Sequence, residues 1–188
     1  MGNFDEQQFL RDYHANPQAA FRQLMDGYRN QIYLFCLRTV SRREDAEDIA
    51  QEVFIRAWKG LESFRGDSSL NTWIYRIAWN VCATFIEKKG RLPGMTSYEE
   101  TSEEDGLSIP QIPTDEAGYG NFEDGQFLET IMHRIPEDYR LVVTMYYLQE
   151  LSYEEICDVT GWTMSKVKVT LHRSKTKLRE LALAEMRV

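Results

Sequence analysis

Asp45-Ala-Glu-Asp-Ile-Ala-Gln-Glu-Val-Phe-Ile-Arg-Ala-Trp58 is the stretch from which the rest of the chain can be read. Ala46, Ile49, Ala50, Val53, Phe54, Ala57 and Trp58 recur at steps of three and four, which is one apolar stripe along an α-helix. Ser41 with Glu44 has the spacing of a capping box ahead of it, and acids crowd its first turns, where the helix dipole favours them. The other face carries Asp45, Asp48, Gln51, Glu52, Ile55 and Arg56. Ile55 stands alone there among charges. That pattern reads either as a solvated face with one stray aliphatic or as a docking surface, and this helix taken alone favours the first.

Working outward, the same period governs both flanks. Residues 4–15 form a short amphipathic pattern, and from Gln18 to Val40 the residues Phe21, Leu24, Met25, Tyr28, Ile32, Phe35 and Cys36 make a second stripe. The opening helix ends near Gly60, Gly66-Asp67-Ser68-Ser69 is a polar turn, and a strong helix follows over about 71–89. Its stripe is Trp73, Ile74, Ile77, Ala78, Val81, Cys82 and Phe85. Helices resume at 127–134, 137–148, 153–159 and 164–183. No segment alternates with period two, so the fold class is all-α. Between Gly90 and Gly125 lie three prolines and the run Glu99-Glu-Thr-Ser-Glu-Glu-Asp105, too charged and too poor in apolar residues to offset ordering entropy. The organisation expected is two small helical domains, 1–90 and 127–188, joined by an acidic linker over 91–126.

The net charge of −8 is unevenly spread. Residues 1–96 hold 13 Lys+Arg against 12 Asp+Glu, 97–127 hold 9 acids and no base, and 128–188 hold 9 of each. Within the last span, 164–179 carries six bases and no acid, so the overall acidity does not exclude nucleic acid as a partner. No apolar run reaches the length of a membrane span, and no signal peptide is read, which points to the cytoplasm. Cys36, Cys82 and Cys157 are far apart without CxxC spacing, as expected of free thiols. Neither they nor His14, His133 and His172 form a metal-ligand or catalytic set, so no cofactor, metal or enzymatic chemistry is expected.

Two further stretches carry chemistry. Ser152 caps a short helix, Thr160-Gly161-Trp162-Thr163 turns, and Met164 opens a longer helix with Val167, Leu171, Ser174 and Leu178 inward. That is the helix-turn-helix arrangement. Its outward residues are read as Ser165, Lys166, Lys168, Val169, Thr170, His172, Arg173, Lys175 and Lys177, suited to base edges and phosphates. In Phe64–Asn80, the residues Tyr75, Trp79 and Asn80 lie off the apolar stripe beside Arg76, with Lys88 and Lys89 beyond. They read as a stacking platform for unpaired bases, or nearly as well as aromatics packed on a neighbouring helix.

Asp45–Trp58, Phe64–Asn80 and Leu151–Leu178, in this order, resemble bacterial sigma factors of the extracytoplasmic-function group within the sigma-70 family. The resemblance implies a sigma-2 domain over about 18–90 and a sigma-4 domain over about 127–185. It implies that Asp45, Asp48, Gln51, Glu52, Ile55 and Arg56 dock on the clamp helices of the largest subunit of core RNA polymerase. It implies the flap region of the polymerase as a further contact. Arg65, Ser68, Ser69, Asn71, Tyr75, Arg76, Trp79, Asn80 and Lys88 would melt and read the −10 promoter element. Ser165, Lys166, Lys168, Val169, Thr170, His172, Arg173 and Lys175 would read the −35 element. An anti-sigma factor is the further partner implied. The chain departs from the family at Trp79, where an Arg is frequent, at Thr84, near a frequent Asp, and at Val169-Thr170, where the family often reads Ser-Arg. Promoter choice is therefore not carried over. Three rivals are a regulator using the helix-turn-helix alone, a mimic that sequesters an anti-sigma partner, and an enzyme. The basic face over 166–177 argues against the mimic, and the lack of a convergent catalytic set argues against the enzyme.

Overall fold

The structure is a computed structural model that describes residues 6–40, 42–88 and 130–185. The acidic linker lies outside the described residues, as does Ser41. Every regular element among the described residues is helical. In order they are α1 (Glu6–Ala15), α2 (Pro17–Val40), α3 (Arg43–Leu61), α4 (Leu70–Lys88), α5 (Glu137–Val143), α6 (Tyr153–Thr160) and α7 (Met164–Glu185). A π-helical turn, Thr144–Leu148, extends α5.

Local chemistry sets most of the boundaries. Asn16 caps α2, its Oδ1 accepting from the Ala19 amide at 3.1 Å, and Pro17 fits the first helical position because its missing N–H has no partner to lose there. Ser69 caps α4 by accepting from the Thr72 amide at 3.0 Å. Ser152 and Glu155 form a full capping box on α6, which ends at Gly161 in the left-handed region, φ 72°. α3 starts differently from the sequence reading. Its N-cap is Arg42, in extended backbone with no side-chain bond, so its first turn relies on Glu44 and Asp45 against the dipole.

α2, α3 and α4 pack together around Leu24, Ile32, Phe35, Val53, Leu61, Ile74 and Tyr75, with α1 laid against α2. Cys36 and Cys82 meet inside this core, where their mutual hydrogen bond and burial push the Cys36 thiol well up, keeping it protonated and inert. Gly60 is where the chain needs the smallest residue. A Cβ there would lie 3.2 Å from the Trp73 ring, which is itself packed on Phe64 at 5.1 Å between centroids.

The second half folds α5 against α7 and α6 against α7. Leu141, Val142, Met145, Leu151, Ile156, Val159, Val167 and Leu171 belong to the same continuous core as α2–α4. The joint runs along α4 and α6, with a second contact between α5 and α2. There Arg140 is buried and donates from Nη1 to the Arg38 carbonyl at 3.0 Å, a cation placed in the last turn of α2 where the dipole favours one.

Candidate polymerase and nucleic-acid interfaces

The outer face of α3 is open. Asp48, Gln51 and Arg56 are exposed, Asp45 and Glu52 are partly so, and Arg56 Nε donates to Glu52 Oε1 at 2.7 Å. An exposed pair of that kind is worth at most about 1 kcal/mol, so it orders the face rather than holding the fold. Ile55 is 49% exposed. Trp58, assigned by its spacing to the buried stripe, is instead 41% exposed, its ring meeting Phe21 edge-on at 5.0 Å. It sits at the end of the stripe, where α2 offers a shallow groove of Gln18, Phe21, Arg22 and Met25 rather than a closed core.

The loop and α4 present a different picture. Arg65, Asn80 and Lys88 are exposed, and Ser68, Ser69 and Asn71 are half-buried. Tyr75 and Trp79 are not the exposed platform expected of them. Tyr75 is wholly buried, packed edge-on against Phe35 at 5.5 Å, and its hydroxyl donates to Gln149. Burial raises the Tyr75 phenol far above its ordinary range, so it stays a neutral donor. Trp79 is 4% exposed and meets Trp162, in the turn of the helix-turn-helix, at 5.6 Å and 89°. Arg76 Nε donates to the Asp158 carbonyl at 2.8 Å, and Thr72 Oγ1 donates to Glu155 Oε1 at 3.0 Å.

On α7, Ser165, Val169, His172, Arg173 and Lys175 face outward as expected. Lys166 Nζ lies 4.1 Å above the Trp162 ring, and Lys168 Nζ lies 5.9 Å from the Tyr153 ring. Those cation–π contacts set Lys166 against the turn before α7 and Lys168 against the first residue of α6. Thr170 corrects the sequence reading: it is 7% exposed, three residues after Val167 on the inner stripe. Its neighbour Ser174 is buried and donates to the Thr170 carbonyl at 2.6 Å.

Sequence reasoning missed the residues that meet α4 from the other half, namely Gln149, Glu155, the Asp158 carbonyl and Trp162. Burial pushes the Glu155 carboxyl up. Hydrogen bonds from Ser152, Thr72 and Ser69 outweigh it and hold the group below its ordinary value. Also missed was a tyrosine cluster, Tyr146 stacked on Tyr153 at 5.0 Å and 10°. Burial and the bond from Tyr146 push Tyr153 up to about 12. Among the described residues, no group of His, Cys, Asp or Glu is placed to hold a metal ion, and no helix is long and apolar enough to cross a membrane.

Residues 24–92 match the family model for Sigma-70 region 2, and residues 128–178 match that for Sigma-70, region 4. The chain is 34% identical to the ECF RNA polymerase sigma factor SigW of Bacillus subtilis over 91% of its own length and 93% of that protein's. It is 31% identical to the ECF RNA polymerase sigma-E factor of Escherichia coli, covering 90% of each. Its fold is similar to that of the sigma factor RpoE of Bartonella quintana, solved in complex with the anti-sigma factor NepR. That match has a TM-score of 0.65 at 25% identity, covering 86% of this chain and 96% of that one. With both regions matched in order and relatives aligned almost end to end, the chain belongs to the extracytoplasmic-function sigma factors of the sigma-70 family.

Proposed function

We propose that this sigma factor carries its two promoter-reading surfaces to core RNA polymerase by the outer face of α3. The observation behind that assignment is Ile55, an aliphatic side chain 49% exposed among Asp48, Gln51, Glu52 and Arg56 on a helix whose other side is sealed in the core. An apolar centre ringed by polar groups is how a specific interface is commonly built. The fold does not need Ile55 outward, so a partner is the economical reason for it.

Within the initiation complex, Arg65, Arg76 and Lys88 hold backbone phosphates of the −10 region, while Ser68, Ser69, Asn71 and Asn80 meet its unpaired bases. Tyr75 is a core residue in this scheme. Its aromatic mass sets the position of α4 instead of stacking on a base. On α7, Ser165, Lys166, Lys168, Val169 and His172 address base edges of the −35 element, and Arg173 and Lys175 address phosphates. The domain limits that suit this division are 1–90 and 127–188, with the acidic stretch 91–126 as tether. The protein adds no catalytic chemistry of its own, acts in the cytoplasm where polymerase works, and is held in check by an anti-sigma factor, as the Bartonella relative is bound by one.

Sequencing transcripts made in vitro by core polymerase plus this protein on a promoter library tests the reading. Initiation should centre on one shared pair of elements, absent with polymerase alone. Failure to bind core polymerase, or transcripts with no common upstream elements, would overturn it.

A further inference from the structure

Val167, Thr170, Leu171, Ser174 and Leu178 are the buried stripe of α7, and they fix which way the rest of the helix points. Two residues advance an α-helix by about 200°, so Val169 stands almost diametrically across from Val167. Ser165, His172 and Thr176 fall on the same outer crest, and all four are exposed. The cations stand to either side of it. By the same spacing Lys166 and Arg173 flank the crest on one side and Lys168 and Lys175 on the other, and the Lys166 and Lys168 ammonium groups are drawn back over Trp162 and Tyr153. A helix lying in the major groove meets base edges with its crest and phosphates with its flanks.

Val169 is 44% exposed within that crest, while Leu183, the other large apolar side chain exposed on α7, lies in the last turn. The fold does not account for Val169 there. Much of its surface is unpacked, and valine is a poorer helix former than the lysines and arginines around it. Its side chain neither donates nor accepts a hydrogen bond, so it cannot address the nitrogen and oxygen atoms of a base edge. What it can bury is the one methyl group the major groove displays, on C5 of thymine. Its stiff, β-branched shape presents two methyls in one rotamer. Adenine, guanine or cytosine at that place would set a polar atom against it and lose a bond to water. Thr170, next in sequence, turns into the core, so it offers no polar group to the same base.

We propose that Val169 is a specificity-determining residue that selects thymine at one position of the −35 element by closing on its C5-methyl. The proposal rests on the assignment of α7 to that element given above. A relative with Ser at this place has a hydroxyl to offer instead, so the preference belongs to this chain's own residue.

The test uses core polymerase with the full chain, and duplex promoter DNA taken from the transcript sequencing described above. Each −35 thymine, on either strand, is replaced in turn by deoxyuridine, which removes the C5-methyl and leaves pairing unchanged. At one position the parent should bind about fourfold more weakly, the worth of one buried methyl-sized group. Val169→Ala should bind the thymine promoter more weakly than the parent and no longer distinguish thymine from deoxyuridine there. Val169→Ile, still apolar and β-branched, should keep the distinction. A parent indifferent to deoxyuridine at every −35 thymine refutes the proposal, and so does a Val169→Ala protein that keeps the parental sensitivity. A shared −35 element with no thymine on either strand refutes it while leaving the assignment of α7 intact. Transcripts that share a −10 but no −35 element overturn that assignment and the proposal with it.

Discussion

α3 and α4 are helices of 19 residues each, adjacent in sequence and packed on one another, and they treat their outer faces in opposite ways. α3 has one buried stripe and leaves Ile55 and Trp58 uncovered. α4 is buried on two sides, by α2 and α3 on one and by α6 on the other, so that Thr72, Tyr75 and Trp79 disappear along with Leu70, Ile74, Ala78, Val81 and Cys82. The contrast separates two kinds of surface residue. On α3 the exposed Ile55 can be changed without touching the fold, so a loss there reports on a partner. On α4 a change at Thr72, Tyr75 or Trp79 disturbs either the core or the contact between the halves.

The contrast is broken most severely at Tyr75. Tyr75→Ala should cost about 3–5 kcal/mol, because the whole ring lies inside the core against Phe35. A denaturation midpoint near that of the parent would show that the ring is not buried in solution. Tyr75→Phe sharpens the same point. It keeps the ring and removes only the hydroxyl donated to Gln149, so chemical denaturation should register a loss of about 1 kcal/mol.

A similar loss, about 1 kcal/mol, is expected for Ser152→Ala, which removes one arm of the capping box on the helix that covers α4. Glu155 supplies the other arm and also accepts from Thr72, and its carboxyl is held below the ordinary value of 4.5. A depressed carboxyl contributes stability that is fully present above the unfolded value and is lost as pH falls through the folded one. Stability should therefore decline more steeply in the parent than in Glu155→Gln as pH drops below about 4.5. Parallel stability curves for the two proteins in acid would contradict the bonding described for Glu155.

Much of this was legible in the residues. The stripe Ala46, Ile49, Ala50, Val53, Phe54 and Ala57 is buried as its spacing requires, and so is the inner stripe Val167, Leu171, Ser174 and Leu178 of α7. The errors share one cause, which is that a period of 3.6 shows one face and is silent about a second. Tyr75 and Trp79 lie off the main stripe of α4, so they were read as exposed although a neighbouring helix was the other choice. A signal was available: 12 of the 19 residues of α4 are apolar or aromatic, more than one face needs, and a helix apolar on all sides is a buried one. Thr170 was misplaced because its polarity outweighed its position three residues after Val167. The partners from the other half, Gln149, Glu155 and Trp162, carry no mark in sequence, since contacts across more than 70 residues leave no local period.

The smallest expected effect on stability is also the one that bears most directly on function. Ile55→Asp changes an exposed side chain with no role in the core, so thermal stability should stay within about 0.5 kcal/mol of the parent. Titrating core RNA polymerase with this variant measures whether the α3 face is the handle that polymerase holds. Affinity at least tenfold weaker than the parent's, with unchanged helical content, is the result predicted, since a charge placed at the centre of an apolar contact costs at least about 1.4 kcal/mol. Parental affinity, or a fold that melts early, would contradict it.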